Sequence, residues 1–221
     1  MHLLQIDVSP RGARSHSRAL TAEFVAKWMA AHPGANVVYR DLGHNPVPFV
    51  DEAWITAAFS NPHDHSPALR EAIRLSDELI EEFLAADVIV IGSPMYNFGT
   101  PAVLKAYIDQ IVRVGRTFSA DFRGLVQGKS LYIITVRGGA GYGPGEAQHG
   151  LDYESPYLRV IFGFIGVTDI TFVDVENSAQ GDEVVKASLA LALERIANLA
   201  ASSACPPAAS RLINVPLTVA T

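Results

Sequence analysis

At 221 residues and 49% hydrophobic content, with a formal net charge of −6, the chain can bury a sizeable core in one domain, and its acidic balance argues against nucleic acid as a partner. Its one cysteine, Cys205, excludes an intramolecular disulfide, a thiolate zinc site or a paired-thiol redox centre, so any redox chemistry would need a borrowed cofactor. No apolar span of about 18 residues is present and the amino terminus lacks the regions of a signal peptide, so the chain reads as soluble and cytoplasmic, with no membrane partner.

Leu3 to Val8 predicts a first strand buried on both faces. Ser9-Pro10-Arg11-Gly12-Ala13-Arg14-Ser15-His16-Ser17-Arg18 follows, a loop dense in hydroxyls, glycine and arginine. Leu20, Phe24, Val25 and Trp28 share one face of a helix that His32-Pro33-Gly34 stops. Val37 to Leu42 predicts the second strand. Between Gly43 and Pro67 the pattern is irregular, with Pro46, Pro48, Pro62 and one helical turn around Trp54. A connection that long inside a compact domain is more often functional than idle. Ser66-Pro67 opens a helix to Ala86, with Leu69, Ile73, Ile80 and Leu84 on one side.

Asp87 to Gly92 predicts a third buried strand, followed by the loop Ser93-Pro94-Met95-Tyr96-Asn97-Phe98-Gly99-Thr100-Pro101 and a helix from Ala102 to Val114. Ser130 to Val136 predicts the fourth strand, which ends in the glycine-rich run Arg137 to Gly145. Ser155 to Phe164 predicts a short helix, Thr168 to Val175 the fifth strand, and Asp182 to Ala201 the last helix. Residues 202–221, with Pro206-Pro207 and Pro216, read as a tail or arm outside a 1–201 domain.

Five apolar strands alternating with helices predict an α/β three-layer sandwich with a parallel sheet. Loops after the first and third strands that both look suited to a ligand fit the order 2-1-3-4-5, in which they share the switch point at the carboxyl edge.

The first loop makes a phosphate cradle. Ser9, Ser15 and Ser17 offer hydroxyl donors, the following helix offers free N–H groups and the positive end of its dipole, and Arg11, Arg14 and Arg18 add charge nearby. A single serine there would be only a helix cap. The loop lacks the Gly-x-Gly-x-x-Gly of a dinucleotide turn, and the run at 138–145 lacks it too, so a mononucleotide fits better than tightly held NAD. Gly124 to Ser130 mimics a phosphate-binding P-loop but precedes a strand instead of following one, and reads as a turn. His63-Asp64-His65 offers two histidines without a third ligand, and no metal is expected. No Gly-x-Ser-x-Gly elbow supports serine hydrolase chemistry. The glycines after Arg137 let backbone approach a flat ligand closely, and Met95, Tyr96, Asn97 and Phe98 crowd four chemically rich side chains into one sheet-edge loop.

Together these segments resemble the FMN-dependent NADH azoreductases, also described as NADH:quinone reductases, of the flavodoxin-like fold. The resemblance is carried by Ser9-Pro10 with Ser15-His16-Ser17, Pro94-Met95-Tyr96-Asn97-Phe98 with Pro101, Leu104-Lys105 and Asp109, Arg113-x-Gly115-x-Thr117-Phe118, Arg137-Gly138-Gly139, and Tyr157-Leu158 with Phe164-Ile165-Gly166. It implies one FMN per subunit, with its phosphate on Ser9, Ser15, His16 and Ser17. The ring would lie along Met95, Tyr96, Asn97 and Phe98, with Val136, Arg137, Gly138 and Gly139 opposite. It also implies a homodimer whose pocket the partner completes, NADH as co-substrate, and a ping-pong two-electron reduction of quinones and azo compounds without an obligatory side-chain acid or base. After Phe118 the family often carries an aromatic that reaches the neighbouring flavin; here Ser119-Ala120-Asp121 intervenes and Phe122 stands in a shifted position. The alternatives are a one-electron flavodoxin-type carrier and a serine-type esterase or phosphodiesterase.

Overall fold

The computed structural model describes residues 1–202. Cys205 and the tail beyond Ser202 lie outside the described residues, and Ser202 itself belongs to the last helix. Five parallel strands run β1 (His2–Asp7), β2 (Asn36–Asp41), β3 (Val88–Pro94), β4 (Ser130–Val136) and β5 (Asp169–Val175), in the order β2-β1-β3-β4-β5. This is the expected order.

Alternation of side chains across the sheet divides the core in two. Leu4, Ile6, Ile89, Ile91, Leu131 and Ile133 pack on one face with α3 (Pro67–Ala85), α4 (Ala102–Ile111) and α5 (Ser155–Phe164). Leu3, Val88, Val90, Tyr132 and Ile134 pack on the other with α1 (His16–Ala31) and α6 (Asp182–Ser202). β1, β3 and β4 are buried along almost their whole length, whereas the edge strand β2 is half-covered.

Two stretches differ from their sequence expectation. The irregular 43–67 region holds a two-turn helix, α2 (Glu52–Ala58), capped by Asp51, whose carboxylate accepts the Trp54 N–H at 2.8 Å. Trp54 and Ala57 then bury against Ile73 of α3, so most of this connection is packing. α4 stops at Ile111, short of Val114. Thr117 Oγ1 donates to the Ile111 carbonyl at 2.7 Å and accepts the Arg113 N–H at 2.9 Å, while Gly115 turns the chain with φ +75°. The Gly128-Lys129 turn also serves the fold. Lys129 Nζ donates to the Leu84 and Ala86 carbonyls at 2.6 and 2.5 Å, closing the end of α3.

One glycine matters for the site. A Cβ on Gly92 would stand 2.8 Å from Thr21 Cγ2 and 3.1 Å from the Ser17 carbonyl. Glycine there lets the first turns of α1 settle onto β3, bringing the exits of β1 and β3 side by side.

Candidate functional site

β1, β3 and β4 end together: Asp7 pairs with Gly92, and Pro94 with Val136. Beyond β1, Ser9, Ser15 and Ser17 are all buried. Ser15 caps α1 by accepting the Arg18 N–H, and its hydroxyl lies 3.1 Å from that of Ser17. Ser9 Oγ accepts the Arg11 N–H at 3.3 Å. The cap and the cradle are therefore one arrangement, with His16 at the first helical position and half-buried. Arg11 and Arg14 stay exposed in the loop.

Arg18 departs from the sequence expectation. Its Nε donates to the Ser9 carbonyl at 2.6 Å, and its two terminal nitrogens grip the Asp41 carboxylate, which holds that carboxyl well below its usual range. Its charge is spent on fixing the backbone of the cradle to the end of β2. Behind it Asp7 accepts from Thr21 at 2.7 Å and Tyr39 at 3.1 Å; burial outweighs these contacts and raises its carboxyl.

Beyond β3, Tyr96 and Gly99 exchange both backbone hydrogen bonds, at 3.1 and 3.0 Å. Asn97 (φ +50°) and Phe98 (φ +68°) form the two central residues of this tight turn, the pattern of a type I′ turn. Asn tolerates the left-handed region; a bulky Phe there is strained and needs holding. The Phe98 carbonyl accepts the Tyr153 N–H at 3.0 Å. Tyr96, Asn97 and Phe98 are exposed and Met95 half-buried. Met95 N–H donates to the Val136 carbonyl at 2.9 Å, tying this wall to the next.

Beyond β4, the carbonyls of Arg137, Gly138 and Gly139 accept the N–H groups of Ser178, Ala179 and Asn177. The Arg137 side chain turns inward. It is 3% exposed, donates to Asp152 at 2.9 Å and Ser155 at 2.6 Å, and meets Asp174 at 3.1 Å and Glu176 at 3.6 Å. The residue lines this wall by its backbone, and the guanidinium is a buried hub.

Among the described residues, the N–H groups of Asn97 and Phe98 on one wall, and of Gly138, Gly139 and Ala140 on the other, make no hydrogen bond. With the three serines and the free first turn of α1 they form a donor set suited to an anion at one end and a flat polar-edged ring between the walls.

Glu154 was invisible in the sequence. It is fully buried just ahead of α5, shares a 2.6 Å hydrogen bond with Ser93, and burial pushes its carboxyl up to about 8. Phe122 occupies the left-handed region (φ +59°), is 66% exposed, and stacks on Phe118 with centroids 6.3 Å apart. The Arg113 to Thr117 motif serves the fold: Arg113 is buried on Ser76 and Asp77 of α3. Among the described residues no three His, Cys, Asp or Glu side chains converge as a metal site, and no helix is long and apolar enough to cross a membrane. His63 and Asp64 lie in a single 3-10 turn capped by Asn61.

Two sizeable cavities lie away from the walls. One of about 590 Å³ flanks α1 beside Gln5, Asp7, Tyr39 and Asp41; the other, about 860 Å³, lies between α2, α3 and residues 113–116. Neither is lined by residues 95–98 or 137–139.

The family model described as flavodoxin-like fold matches residues 1–200. FMN-dependent NADH:quinone oxidoreductase 2 of Trichormus variabilis is 56% identical over 205 residues, covering 91% of this chain and 99% of the relative. FMN-dependent NAD(P)H:quinone oxidoreductase 1 of Pseudomonas aeruginosa is 42% identical over 209 residues, covering 91% and 99%. Among solved structures, an azoreductase from Bacillus anthracis superposes with a TM-score of 0.81 at 28% identity, covering 91% of this chain and 99% of the other.

Proposed function

The chain belongs to the flavodoxin-like family whose model spans its first 200 residues, and on that premise we propose that it is an FMN-dependent NADH:quinone oxidoreductase that also reduces azo compounds. The observation that carries this reading is the pair of walls at the β3 and β4 exits, with unspent N–H donors on both and a serine cradle on the strand beside them.

Residues 1–201 act as one FMN-binding domain. Ser9, Ser15, His16 and Ser17 would hold the phosphate, where hydroxyls and the α1 dipole favour negative charge. Met95, Tyr96, Asn97 and Phe98 would line one side of the ring, and Val136, Arg137, Gly138 and Gly139 the other. FMN, when bound, supplies two-electron hydride acceptance and donation. The chain's part is to bind and orient: the wall N–H groups favour negative charge on the ring's polar edge, and no side chain is required as acid or base. NADH and the acceptor would use the same site in turn, a ping-pong order. Homodimer formation completes the pocket, a reading supported by the exposure of Phe59, Tyr96, Phe98 and Phe122 in the single chain.

The test is spectroscopic. Purified protein, or apoprotein given FMN, is yellow; anaerobic NADH bleaches it within seconds, and a quinone restores the colour. Colourless protein that gains nothing from FMN overturns the reading. Yellow protein inert to NADH but reducible by a partner reductase assigns it to the electron carriers.

A further inference from the structure

Tyr153 and Glu154, consecutive residues just ahead of α5, hold the 93–98 segment at both ends. Tyr153 donates its N–H to the Phe98 carbonyl at 3.0 Å, and Glu154 Oε1 lies 2.6 Å from Ser93 Oγ. The same short stretch is anchored to the opposite wall. Arg137 donates to Asp152 Oδ2 and Ser155 Oγ, while Asp152 Oδ1 accepts the N–H groups of Glu154 and Ser155, both at 3.0 Å. Residues 152–155 thus form a bridge between the segments that leave β3 and β4.

Within that bridge Glu154 is chemically out of place as an anion. It is fully buried, Oε1 has Ser93, and Oε2 has no hydrogen-bond partner among the described residues. The charged groups that bear on it are Arg137, Asp152 and Asp174, so two of three repel a carboxylate. Arg137 is the attractive one: its terminal nitrogens are shared among Asp152, Asp174 and Glu176, its buried Nε–H has no partner among the described residues, and it does not come within ion-pair distance of Glu154. A neutral carboxyl fits the same space: Oε1 accepts the Ser93 O–H, and a proton on Oε2 leaves no unsolvated charge in the pocket.

We propose that Glu154 is a positioning residue that holds the 95–98 loop as a neutral acid, and that loss of its proton slackens the loop and weakens retention of FMN. The inference rests on the FMN reading above. Burial, opposed by the Ser93 hydrogen bond and by Arg137, pushes the carboxyl up to about 8, so the change falls just above neutrality. Below that pH the stretch stays packed; above it a buried anion beside Asp152 and Asp174, with Oε2 unpaired, is relieved only by opening to water, a cost that the one Ser93 hydrogen bond does not offset.

The experiment measures the FMN dissociation constant of the apoprotein by quenching of flavin fluorescence, from about pH 6.5 to about pH 9.5, above the phosphate ionisation near 6. For the wild type it should rise by about tenfold across the transition. Glu154→Gln keeps the shape and a hydrogen bond to Ser93 but cannot ionise, and its profile should be flat. Ser93→Ala leaves the acid in place without its partner and should bind FMN at neutral pH as weakly as the wild type does at high pH. A Glu154→Gln profile that rises like the wild type, a Ser93→Ala affinity equal to wild type throughout, or a wild-type profile without inflection each overturns the proposal. A wild-type chain that takes up no FMN at any pH overturns the cofactor reading itself, and the clamp with it.

Discussion

Arg137 and Asp152 stand 2.9 Å apart with only 3% and 8% of their side chains exposed, an ion pair sealed between the exit of β4 and the approach to α5. Asp174 and Glu176 share the same guanidinium. Removing the cation leaves several carboxylates facing one another in a poorly solvated space, whereas a buried pair left whole can be close to neutral in net stability. Arg137→Ala should therefore cost about 3–5 kcal/mol in chemical denaturation. Arg137→Lys should recover only part of that, because an ammonium cannot reproduce the fork. An unchanged denaturation midpoint for Arg137→Ala would show that the cage adds nothing to stability.

The turn at Asn97 and Phe98 separates backbone strain from side-chain function. Phe98→Gly removes an unfavourable left-handed Phe and should raise the stability of the apoprotein by up to about 1 kcal/mol. The same change should weaken FMN retention, because the exposed ring is lost from the wall. Asn97→Ala should weaken retention or slow flavin reduction while costing some stability at φ +50°. Thermal melting with and without FMN reads both effects; if neither substitution alters FMN affinity, residues 95–98 are not a wall of the flavin site.

The serine cradle predicts a contrast between two ligands. Ser9→Ala and Ser17→Ala should each weaken FMN about 10- to 100-fold, the worth of a hydrogen bond to a charged group, while leaving riboflavin affinity nearly unchanged. Ser15→Ala should do the same and also lose about 1 kcal/mol of stability as the cap of α1. Equal losses for FMN and riboflavin would show that these hydroxyls serve the loop alone.

Two carboxyls should shape stability against pH with opposite signs. Asp41 is depressed, first by its hydrogen bond to Arg18, so its contribution is present above the unfolded value near about 4 and is lost as pH falls below it. Glu154 is raised to about 8 by burial. Between about 4.5 and 8 the folded state then binds more protons than the unfolded chain, and stability declines across that window by on the order of a few kcal/mol before levelling. Denaturation midpoints against pH should show an acid limb that Asp41→Asn shortens and a decline toward alkaline pH that Glu154→Gln flattens. A Glu154→Gln curve parallel to wild type from about pH 5 to about pH 8 would rule out the second half.

The strands and their order were legible because strands buried on both faces read as unbroken apolar runs, and Ile89 to Ile91 or Leu131 to Ile134 can be little else. α2 was harder: only Asp51, three residues ahead of the Trp54 N–H it caps, marked its start. The end of α4 depended on a hydroxyl six residues beyond Ile111, which no periodicity reports. The loops of the site were legible as compositions, a serine cluster and an aromatic cluster, though not as conformations. Arg18 reads in sequence as charge beside the serines, yet folding delivers it to Asp41, 23 residues away. Glu154 carried no signal, since its chemistry comes from what surrounds it. A glutamate beside Tyr153 is pushed toward the neutral acid by burial and by Asp152 and Asp174, against the pull of Ser93 and Arg137.

The hydrogen bond from Met95 N–H to the Val136 carbonyl also sets a dimension. The two walls leave the sheet from neighbouring strands that run about 4.8 Å apart, so the points from which they start are set by the backbone ladder and not by the side chains they display. The base of the loop then keeps its place when Tyr96 is exchanged, whereas Asn97 and Phe98 hold backbone conformations that few residues adopt. The sheet acts as a fixed socket, and the tight turn at its rim is the part that substitution disturbs.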